Sequence, residues 1–326
     1  MTVSRVLSGG RNVRPEVRER VERVVAEIGY YRNENARSLR PGHRSGLIGV
    51  TITNIANPYY GEMQQGIEEV AAAHSRRILV GNSHEDVALE RQLVADFIGR
   101  RVEGLIIVPS STVASPHLAV DALAGTPVVF ASRAVDDLDV DTVLIDDVGG
   151  AFEATTVMLK EGHRRVAFLG NRDSLFTGRR RYQGFRQAHE AFGVELVPEL
   201  VRAGQQDVVS AEQAMAELLA MREPPTAVFS ANNRNTVGAI RAIESMRRRL
   251  SGAQGVPAPT IRLFGFDSFE FADMSPVPLS VVDHDPRELG RRVADLLFER
   301  LDGGAIGRPA RRIELPVFLK GEPWAK

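Results

Sequence analysis

From Gly46 onward, short apolar runs alternate with amphipathic stretches of helical period, and this alternation constrains the fold more than any other feature of the sequence. The apolar runs, each with the length of a buried strand, are 47–53, 78–81, 105–108, 128–131, 143–145, 166–169, 227–230 and 261–266. The amphipathic stretches are 59–73, 87–100, 147–161, 180–192, 211–221, 235–249 and 287–301. Because continuous apolar strands joined by helices form parallel sheets covered on both faces, the pattern predicts an α/β fold.

The length of the chain, 326 residues, is too great for one ordinary core and suits two or three domains. More than eight strands over roughly 280 residues would make a large single sheet, so we expect two doubly wound parallel-sheet lobes. In sheets of this kind, ligands bind beyond the carboxyl ends of the strands. The fold therefore predicts a ligand site at those strand ends.

Residues 1–45 differ from this body in charge. They hold ten arginines, no lysine and five glutamates, which gives the segment a net charge of +5. Since the whole chain has a formal net charge of −1, the remainder carries −6. A basic segment on an acidic body favours a polyanionic partner at one end, although a solvated arginine and glutamate helix face would show the same charges.

The first seven residues have the pattern of a short helix with one polar face. Apolar side chains at positions 3, 6 and 7 share a face, while Thr2, Ser4 and Arg5 face away from it. Arginine can pair with both acceptors on a guanine edge, and serine and threonine can hold phosphates. Taken alone, so few residues are more typical of an ordinary surface helix.

Two further helices are expected before residue 45. Pro15 suits the first position of a helix, and Gly29 is placed to end that helix. Asn33 suits the N-cap of a third, short helix, which Pro41 and Gly42 would end.

Four motifs in this segment occur in the order and spacing of the LacI/GalR family of regulators. They are Thr2-Val3-Ser4-Arg5-Val6-Leu7, Val13-Arg14-Pro15-Glu16, Ile28-Gly29-Tyr30 and Asn33-x-x-Ala36-Arg37-Ser38-Leu39. The chain is similar to that family through its whole length. The resemblance implies a recognition helix of a helix-turn-helix, a second helix packed behind it, and a hinge helix that folds only on operator DNA.

By this resemblance, a set of N-terminal residues would contact a palindromic operator. Leu39 would be the apolar wedge inserted between base pairs in the minor groove, and Ala36 would allow close approach of a partner hinge helix. The implied DNA-binding residues are Thr2, Ser4, Arg5, Asn12, Asn33, Ala36, Arg37 and Leu39. A two-fold symmetric operator would be bound by a homodimer.

The segment also departs from the family pattern. The family's first helix and turn precede the stretch that begins at Thr2, so we expect residues 1–40 alone to form no stable headpiece. A start assigned too late, a trimmed sequence and a real loss of the helix are all open explanations. Arg14 stands where the family usually has a serine or threonine N-cap, so a weaker cap is expected.

The body continues the resemblance. Its most specific run is Gly162-His163-Arg164-Arg165-Val166-Ala167-Phe168-Leu169-Gly170. The family body is similar to periplasmic binding proteins, in which the chain crosses three times between two lobes. The implied domains are a partial headpiece and hinge at 1–45, a first lobe at 46–146 plus 284–312, and a second lobe at 147–283 plus 313–326.

The resemblance places an effector between the lobes. The residues implied to bind it are Tyr59, Tyr60, Ser110, Arg133, Thr177, Arg181, Asn232 and Asp267. Aromatic faces that stack on a ring and directed hydrogen bonds from such side chains suit a small polar ligand, with a sugar or related metabolite as one class.

Three positions depart from the usual effector pattern. Ser132 stands where an aspartate is common, Asn233 follows Asn232 in place of an aspartate, and Gln206 stands where an aromatic residue often closes the pocket. These changes put a simple hexose in doubt. A smaller, anionic or differently shaped ligand, or no effector response, stays open.

Other classes of protein are disfavoured by what the sequence lacks. There are no cysteines, the seven histidines have no metal-ligand spacing, and no nucleotide-binding or hydrolase motif occurs. We therefore expect no enzyme activity, catalytic residue, metal or cofactor. No apolar run approaches the ~20 residues of a membrane span and no secretory signal begins the chain, so a cytoplasmic location is expected.

These observations predict a sequence-specific DNA-binding transcriptional regulator, by resemblance a repressor, whose operator affinity is changed by a small molecule. The alternative is a cytoplasmic sensor that binds the small molecule and has lost DNA binding. A solute-binding protein would instead carry a signal peptide and no basic N-terminal segment.

Overall fold

The computed structural model describes residues 2–7, 13–29, 45–112, 115–171, 175–205, 207–252, 260–303 and 309–321. The chain forms two compact units, Met1–Ser45 and Gly46–Lys326.

The first unit contains helices α1 (Thr2–Leu7) and α2 (Pro15–Glu27). As predicted, α2 begins at Pro15, its N-cap Arg14 makes no side-chain capping bond, and Gly29 follows with a left-handed φ of +58°. Val6 of α1 is buried, but none of the thirteen α2 residues, all of them described, is buried. Val21 and Val25 of α2 are half-buried, whereas Val17 and Val24 are exposed within this unit.

The second unit consists of strands connected mainly by helices. Its strands are β1 (Leu47–Ile52), β2 (Arg77–Asn82), β3 (Gly104–Ile107), β4 (Val128–Ala131), β5 (Asp141–Ile145), β6 (Val166–Leu169), β7 (Val201–Arg202), β8 (Ala227–Ser230), β9 (Arg262–Phe266), β10 (Leu279–Asp283), β11 (Arg312–Leu315) and β12 (Phe318–Gly321). Its helices are α3 (Pro58–Ala73), α4 (Val87–Gly99), α5 (Asp147–Lys160), α6 (Phe176–Phe192), α7 (Val208–Leu219), α8 (Asn233–Gly252) and α9 (Pro286–Gly303). Short 3₁₀ helices occur at Pro116–Leu118, Val120–Leu123, Pro198–Leu200 and Ala272–Met274.

Within the described part of the chain, these strands form two six-stranded sheets. The first has the order β11-β5-β4-β3-β1-β2, and all of its pairs are parallel. The second has the order β12-β10-β9-β8-β6-β7, and only the pairing of β12 with β10 is antiparallel. Two doubly wound sheets are the predicted fold class, which is confirmed.

The chain passes between the two sheets three times. The passages follow β5, β10 and β11 in turn. The predicted boundary at 312/313 is wrong by three residues, because Ile313, Glu314 and Leu315 pair with β5 and extend the first sheet. The last passage therefore lies between Leu315 and Phe318.

The helices beside the first sheet approach each other unusually closely. Gly66 of α3 faces the backbone of Arg287, and Gly290 of α9 faces the backbone of Met63. A Cβ atom at either glycine would clash with the opposite main chain, which is the kind of close approach that glycine permits. This crossing fixes α3, whose first residues lie at the carboxyl edge of the sheet.

Candidate functional site: a cleft between the two sheets

One cavity of about 500 Å³ lies where the carboxyl ends of strands from both sheets meet. All eight residues predicted to bind an effector line it, and they are Tyr59, Tyr60, Ser110, Arg133, Thr177, Arg181, Asn232 and Asp267. The structure therefore brings the predicted set together from α3, α6 and the loops that follow β3, β4, β8 and β9. Their role in binding stays a prediction.

Arg181 is the centre of the half of the cleft that the second sheet contributes. Its guanidinium donates to Asp267 through Nη1 at 2.8 Å and Nη2 at 3.2 Å, and through Nε to Asp147 at 2.7 Å. Nη1 also donates to the carbonyl of Ala231 at 2.7 Å, and the guanidinium lies 3.7 Å from the ring centroid of Phe266. Arg181 is therefore held on several sides by charge, hydrogen bonds and a ring face.

Burial and charge act in opposite directions on this cluster. Burial alone would lower the pKa of Arg181, but Asp267 and then Asp147 raise it, so the guanidinium stays charged. For Asp147, burial is the largest effect and raises the pKa to about 6, although Arg181 lowers it. The Asp147 carboxylate is fully buried, and its Oδ2 atom has no hydrogen-bond partner. This half of the cleft thus contains a buried carboxyl group whose pKa lies above its ordinary value.

Arg133 occupies the corresponding place in the half contributed by the first sheet. Its Nη1 donates to Glu85 at 2.6 Å and to the Pro109 carbonyl at 3.0 Å, and its Nη2 donates to Glu85 at 2.9 Å. The Arg133 side chain is 7% exposed, whereas the Glu85 side chain is 33% exposed. The bidentate pair fixes the direction of the guanidinium in the cleft.

The two tyrosines at the start of α3 are held by hydroxyl contacts. The Tyr59 and Ser132 hydroxyls lie 2.8 Å apart, and Thr53 donates to the Tyr60 hydroxyl at 2.7 Å. Their rings are perpendicular with centroids 5.1 Å apart. Burial raises the pKa of both phenols above the ordinary value, so they act as neutral hydrogen-bonding groups. The Asn57 side chain caps the helix by accepting from the Tyr59 amide at 3.2 Å.

Side chains also connect the two halves across the mouth of the cleft. Asn57 and Asn233 exchange amide hydrogen bonds, with Nδ2 to Oδ1 distances of 3.3 Å and 2.9 Å. Arg179 at the start of α6 donates to Asp136 at 3.0 Å and 3.2 Å. Each of these contacts joins a residue of the first lobe to a residue of the second.

The remaining predicted residues lie at strand ends and helix starts. Asn232 follows β8, and its Oδ1 accepts from the Asn235 amide at 2.8 Å at the start of α8. Ser110 shares a 2.8 Å hydroxyl contact with Ser83, and its amide donates to Glu90 at 2.7 Å. Glu90 is fully buried on α4 and also contacts His117 Nε2 at 2.8 Å.

Sequence reasoning missed several residues of this site. Asp147 is the second residue after β5 and the first of α5, so an acidic residue just beyond a buried strand end is the available signal. Glu90 lies inside an ordinary amphipathic helix, where no sequence feature distinguishes it from a surface glutamate. Glu85 has no distinguishing sequence feature either. Only the structure sets it apart, through a left-handed backbone with φ of +61°.

Left-handed backbone is a shared property of the cleft lining. Four lining residues other than glycine adopt it: His84, Glu85, Ser132 and Asp267, with φ values of 53°, 61°, 62° and 63°. Such conformations cost free energy and concentrate at functional sites. The clustering therefore supports the cleft as a binding site independently of the resemblance.

The structure describes only some of the predicted DNA-binding residues. Thr2, Ser4 and Arg5 lie on α1, as expected, and Arg5 is exposed. The side chains of Thr2 and Ser4 are outside what the structure describes, as are all atoms of Asn12, Asn33, Ala36, Arg37 and Leu39. The DNA contacts of this set stay predictions.

The described residues contain neither a metal-binding cluster nor a helix that could span a membrane. No group of three His, Cys, Asp or Glu side chains among them could hold a metal ion. None of their helices has both the length and the apolar character needed to cross a bilayer.

Comparison with known families places the chain in one class. Residues 45–322 match the family described as periplasmic binding proteins and sugar binding domain of LacI family, and residues 1–33 match bacterial regulatory proteins, lacI family. The chain therefore belongs to the LacI family, and it is a transcriptional regulator with a DNA-binding segment and an effector-binding domain.

Individual relatives agree with this assignment. The HTH-type transcriptional repressor CytR of Escherichia coli strain K12 is 27% identical over 326 residues, which cover 98% of this chain and 91% of CytR. The solved lac repressor dimer bound to operator and the anti-inducer ONPF has a TM-score of 0.79 at 26% identity, covering 99% of this chain and 94% of that one. The complex of the regulator CelR with cellobiose has a TM-score of 0.73 at 26% identity with the same coverage. The predicted family and fold class are confirmed.

Proposed function

We propose that this regulator is a repressor whose affinity for a palindromic operator depends on a small, uncharged polar effector bound in the cleft. The observation that carries the proposal is the pair of buried arginines, Arg133 and Arg181, that line one cavity from opposite lobes. A cavity of about 500 Å³ lies within the usual range for small-molecule sites.

The charges around the cavity favour a neutral ligand. Among the described lining residues, the three carboxylates Glu85, Asp207 and Asp267 are matched in number by the arginines Arg133, Arg181 and Arg234. An anion that bound Arg133 or Arg181 would have to displace Glu85 or Asp267 from its guanidinium, since both of these pairs are already bidentate. Hydroxyl groups can bind the same arginines and carboxylates without breaking either pair. A sugar or a related polyhydroxy metabolite is therefore the proposed class, and the cellobiose complex of CelR supports it.

Regulation would follow from closure of the two lobes. The Asn57–Asn233 and Arg179–Asp136 contacts bridge the lobes, so a ligand that contacts both Arg133 and Arg181 favours the state in which these bridges form. A ligand with different affinities for two states shifts their populations, and that shift changes the affinity for DNA by the same coupling free energy.

The effector class is tested by a thermal-shift screen of the full chain with neutral sugars, nucleosides and their phosphorylated forms. A neutral ligand at ~100 times its Kd should stabilise the protein by ~2.7 kcal/mol. Arg181→Ala should abolish the shift, while Arg186→Ala, an exposed arginine on the same helix, should leave it unchanged. Stabilisation by phosphorylated compounds alone, or by the same ligand in Arg181→Ala, would overturn the proposed class.

Operator binding is tested by fluorescence anisotropy with a palindromic site and a random duplex at several salt concentrations. We expect a preference for the palindrome and an affinity that falls steeply with salt. Arg5→Ala should relax sequence preference, whereas Arg23→Ala, an exposed arginine on α2, should not. Binding that ignores sequence would instead support the alternative of a sensor without operator recognition.

We further propose that the chain works as a homodimer in the cytoplasm, where chromosomal DNA is found. The operator-bound lac repressor structure, described as a dimer, supports the oligomeric state. Sedimentation analysis at micromolar concentration would give twice the chain mass of 35.8 kDa. A monomer at the concentration that saturates operator DNA would contradict this part of the proposal.

A further inference from the structure

A second cavity, of about 560 Å³, lies where the chain passes between the sheets after β10. We name it the hinge cavity, and its lining residues are Pro58, Tyr59, Glu62, Asp267, Ser268, Phe269, Glu270, Asp283, His284, Asp285, Pro286, Phe318 and Lys320. Of the described residues, it shares only Tyr59 and Asp267 with the effector cleft. The two cavities are therefore distinct sites with one wall in common.

The hinge cavity has a surplus of negative charge. Among the residues that the structure describes, five carboxylates line it, and Lys320 is the only lysine or arginine. Asp267 is already paired with Arg181, and Asp283 accepts from the Lys320 ammonium at 2.7 Å. Glu62 and Glu270 form no salt bridge with any described residue.

The carboxylates also affect each other. Burial, and then the charges of Asp283 and Asp285, raise the pKa of Glu62 above its ordinary value. The negative charge of Asp285 is only partly compensated, because its carboxylate accepts hydrogen bonds from the backbone amides of Arg287 and Glu288 at the start of α9. A cation entering the cavity would relieve this repulsion.

His284 provides a second and independent indication of a ligand. It is 5% exposed and lines the hinge cavity, yet neither of its ring nitrogens has a hydrogen-bond partner. Oδ1 of Asp267 lies 3.8 Å from His284 Nδ1, beyond hydrogen-bond distance. A buried polar group without a partner costs free energy, so a donor supplied by a ligand would be stabilising.

Lys320 shows how an ammonium group fits this environment. Its Nζ atom lies 5.0 Å from the ring centroid of Phe318 while it donates to Asp283. Attraction of cations to aromatic faces adds to the carboxylate contact. The rings of Tyr59 and Phe269 line the rest of the cavity and offer apolar surface for a methylene stem.

We propose that the hinge cavity binds a small organic ammonium ion of about the size of a diamine. Glu62 and Glu270 bind the ammonium groups, the free ring nitrogen of His284 accepts one N–H, and the aromatic rings pack against the stem. A metal ion fits less well, because no three acidic or histidine side chains among the described residues converge closely enough to hold one. Since Tyr59 and Asp267 border both cavities, occupancy of one site is coupled to occupancy of the other.

The test is isothermal titration calorimetry of the full chain with 1,4-diaminobutane at neutral pH. We expect saturable binding of the diamine and none of 1,4-butanediol, which has the same length and no charge. The double variant Glu62→Gln/Glu270→Gln should weaken binding about tenfold or more. The matched control Glu195→Gln/Glu199→Gln removes the same charge from exposed positions elsewhere and should leave the affinity unchanged.

Two further arms separate this site from the effector cleft and from general charge attraction. Arg133→Ala, which alters only the effector cleft, should not change diamine affinity. Magnesium chloride at the diamine concentration should not displace the diamine. Equal binding of the diol, unchanged affinity in the Glu62/Glu270 variant, or displacement by magnesium would each overturn the proposal.

Discussion

Each half of the effector cleft contains one buried arginine bound to a carboxylate, but the two arginines are held differently. Arg181 contacts two buried carboxylates, a carbonyl and the face of Phe266. Arg133 also contacts a carbonyl, that of Pro109, but it has one carboxylate partner, Glu85, whose side chain is 33% exposed. The half from the second sheet is therefore built as a fixed surface, whereas the half from the first sheet depends on a loop residue that water can reach.

This difference suggests separate roles for the two halves. A fixed guanidinium positions the ligand without reorganisation, which preserves affinity. We expect the Glu85 loop, whose carboxylate is partly exposed, to adjust more readily than the Arg181 cluster when a ligand binds.

The largest expected effect is the loss of Arg181. Arg181→Ala would leave Asp147 and Asp267 buried without their cation, and removal of one partner from a buried pair costs about 3–5 kcal/mol. Arg133→Ala should cost about 1–2 kcal/mol, because Glu85 can turn toward water. Urea unfolding of both variants, with Arg186→Ala as the exposed control, measures the difference. Equal losses in the free energy of unfolding for Arg181→Ala and Arg133→Ala would contradict the proposed difference between the two halves of the cleft.

The next largest effect is a pH dependence of stability that comes from Asp147, in the half of the cleft contributed by the second sheet. The Asp147 pKa is raised from 3.8 to about 6 in the folded protein, so the folded state holds a proton that the unfolded state releases. Its contribution to stability is therefore present below about pH 4 and is lost as pH rises through 6, by at most about 3 kcal/mol at 1.36 kcal/mol per pKa unit.

Unfolding curves between pH 4 and pH 7 test this sign. The stability of the wild type minus that of Asp147→Asn should fall as pH rises, because asparagine does not titrate. Asp137→Asn, which removes an exposed carboxylate, provides the control. A difference between wild type and Asp147→Asn that stays constant across this range would refute the predicted protonation.

A smaller effect is expected for the phenol that borders both halves. Tyr59→Phe removes the 2.8 Å contact with Ser132 while keeping the ring, so it should cost about 0.5–1.5 kcal/mol. Differential scanning calorimetry measures the change, and Tyr182→Phe, a tyrosine on α6 that does not line the cleft, is the comparison. Stability unchanged by Tyr59→Phe would show that water replaces the hydroxyl fully.

The smallest effect is expected for the contact that joins the halves. A double-mutant cycle with Asn57→Ala and Asn233→Ala should give a coupling of about 0.5–1 kcal/mol, because each amide donates to the other. Pairing Asn54→Ala with Asn233→Ala should give none, since Asn54 bonds locally to the Ala56 amide. Zero coupling between Asn57 and Asn233 would mean that this bridge does not hold the lobes together.

Much of the fold is predictable from the sequence because strands and helices are encoded by local apolar periodicity. The predicted helix at 59–73 is observed at Pro58–Ala73, and the predicted strand at 227–230 is observed at those same residues. Strand β10 was missed because Ser280 and Asp283 interrupt its apolar run. The strand is buried nonetheless. Ser280 can be buried because its hydroxyl accepts a hydrogen bond from Arg262 of the neighbouring strand at 2.7 Å.

The remaining missed strands have a common physical cause. Strands β7, β11 and β12 lie at sheet edges and contain two to four residues each. Edge strands need little apolar sequence, because only one side is paired and their burial is partial. Their sheet membership was set by tertiary pairing, which is also why the last passage between the sheets was placed three residues too early.

The arginines at 179, 180 and 181 show what each level of information decides. The sequence alone gives three consecutive identical side chains on one helix, and the family resemblance selects Arg181 by its offset from Gly184. In the folded chain Arg179 binds Asp136, Arg180 binds Glu314 and Arg181 binds Asp267. Successive helical residues point about 100° apart. The sequence therefore determined the helix and its basic residues, and only the tertiary structure decided which arginine enters the cleft, because the partners come from distant segments.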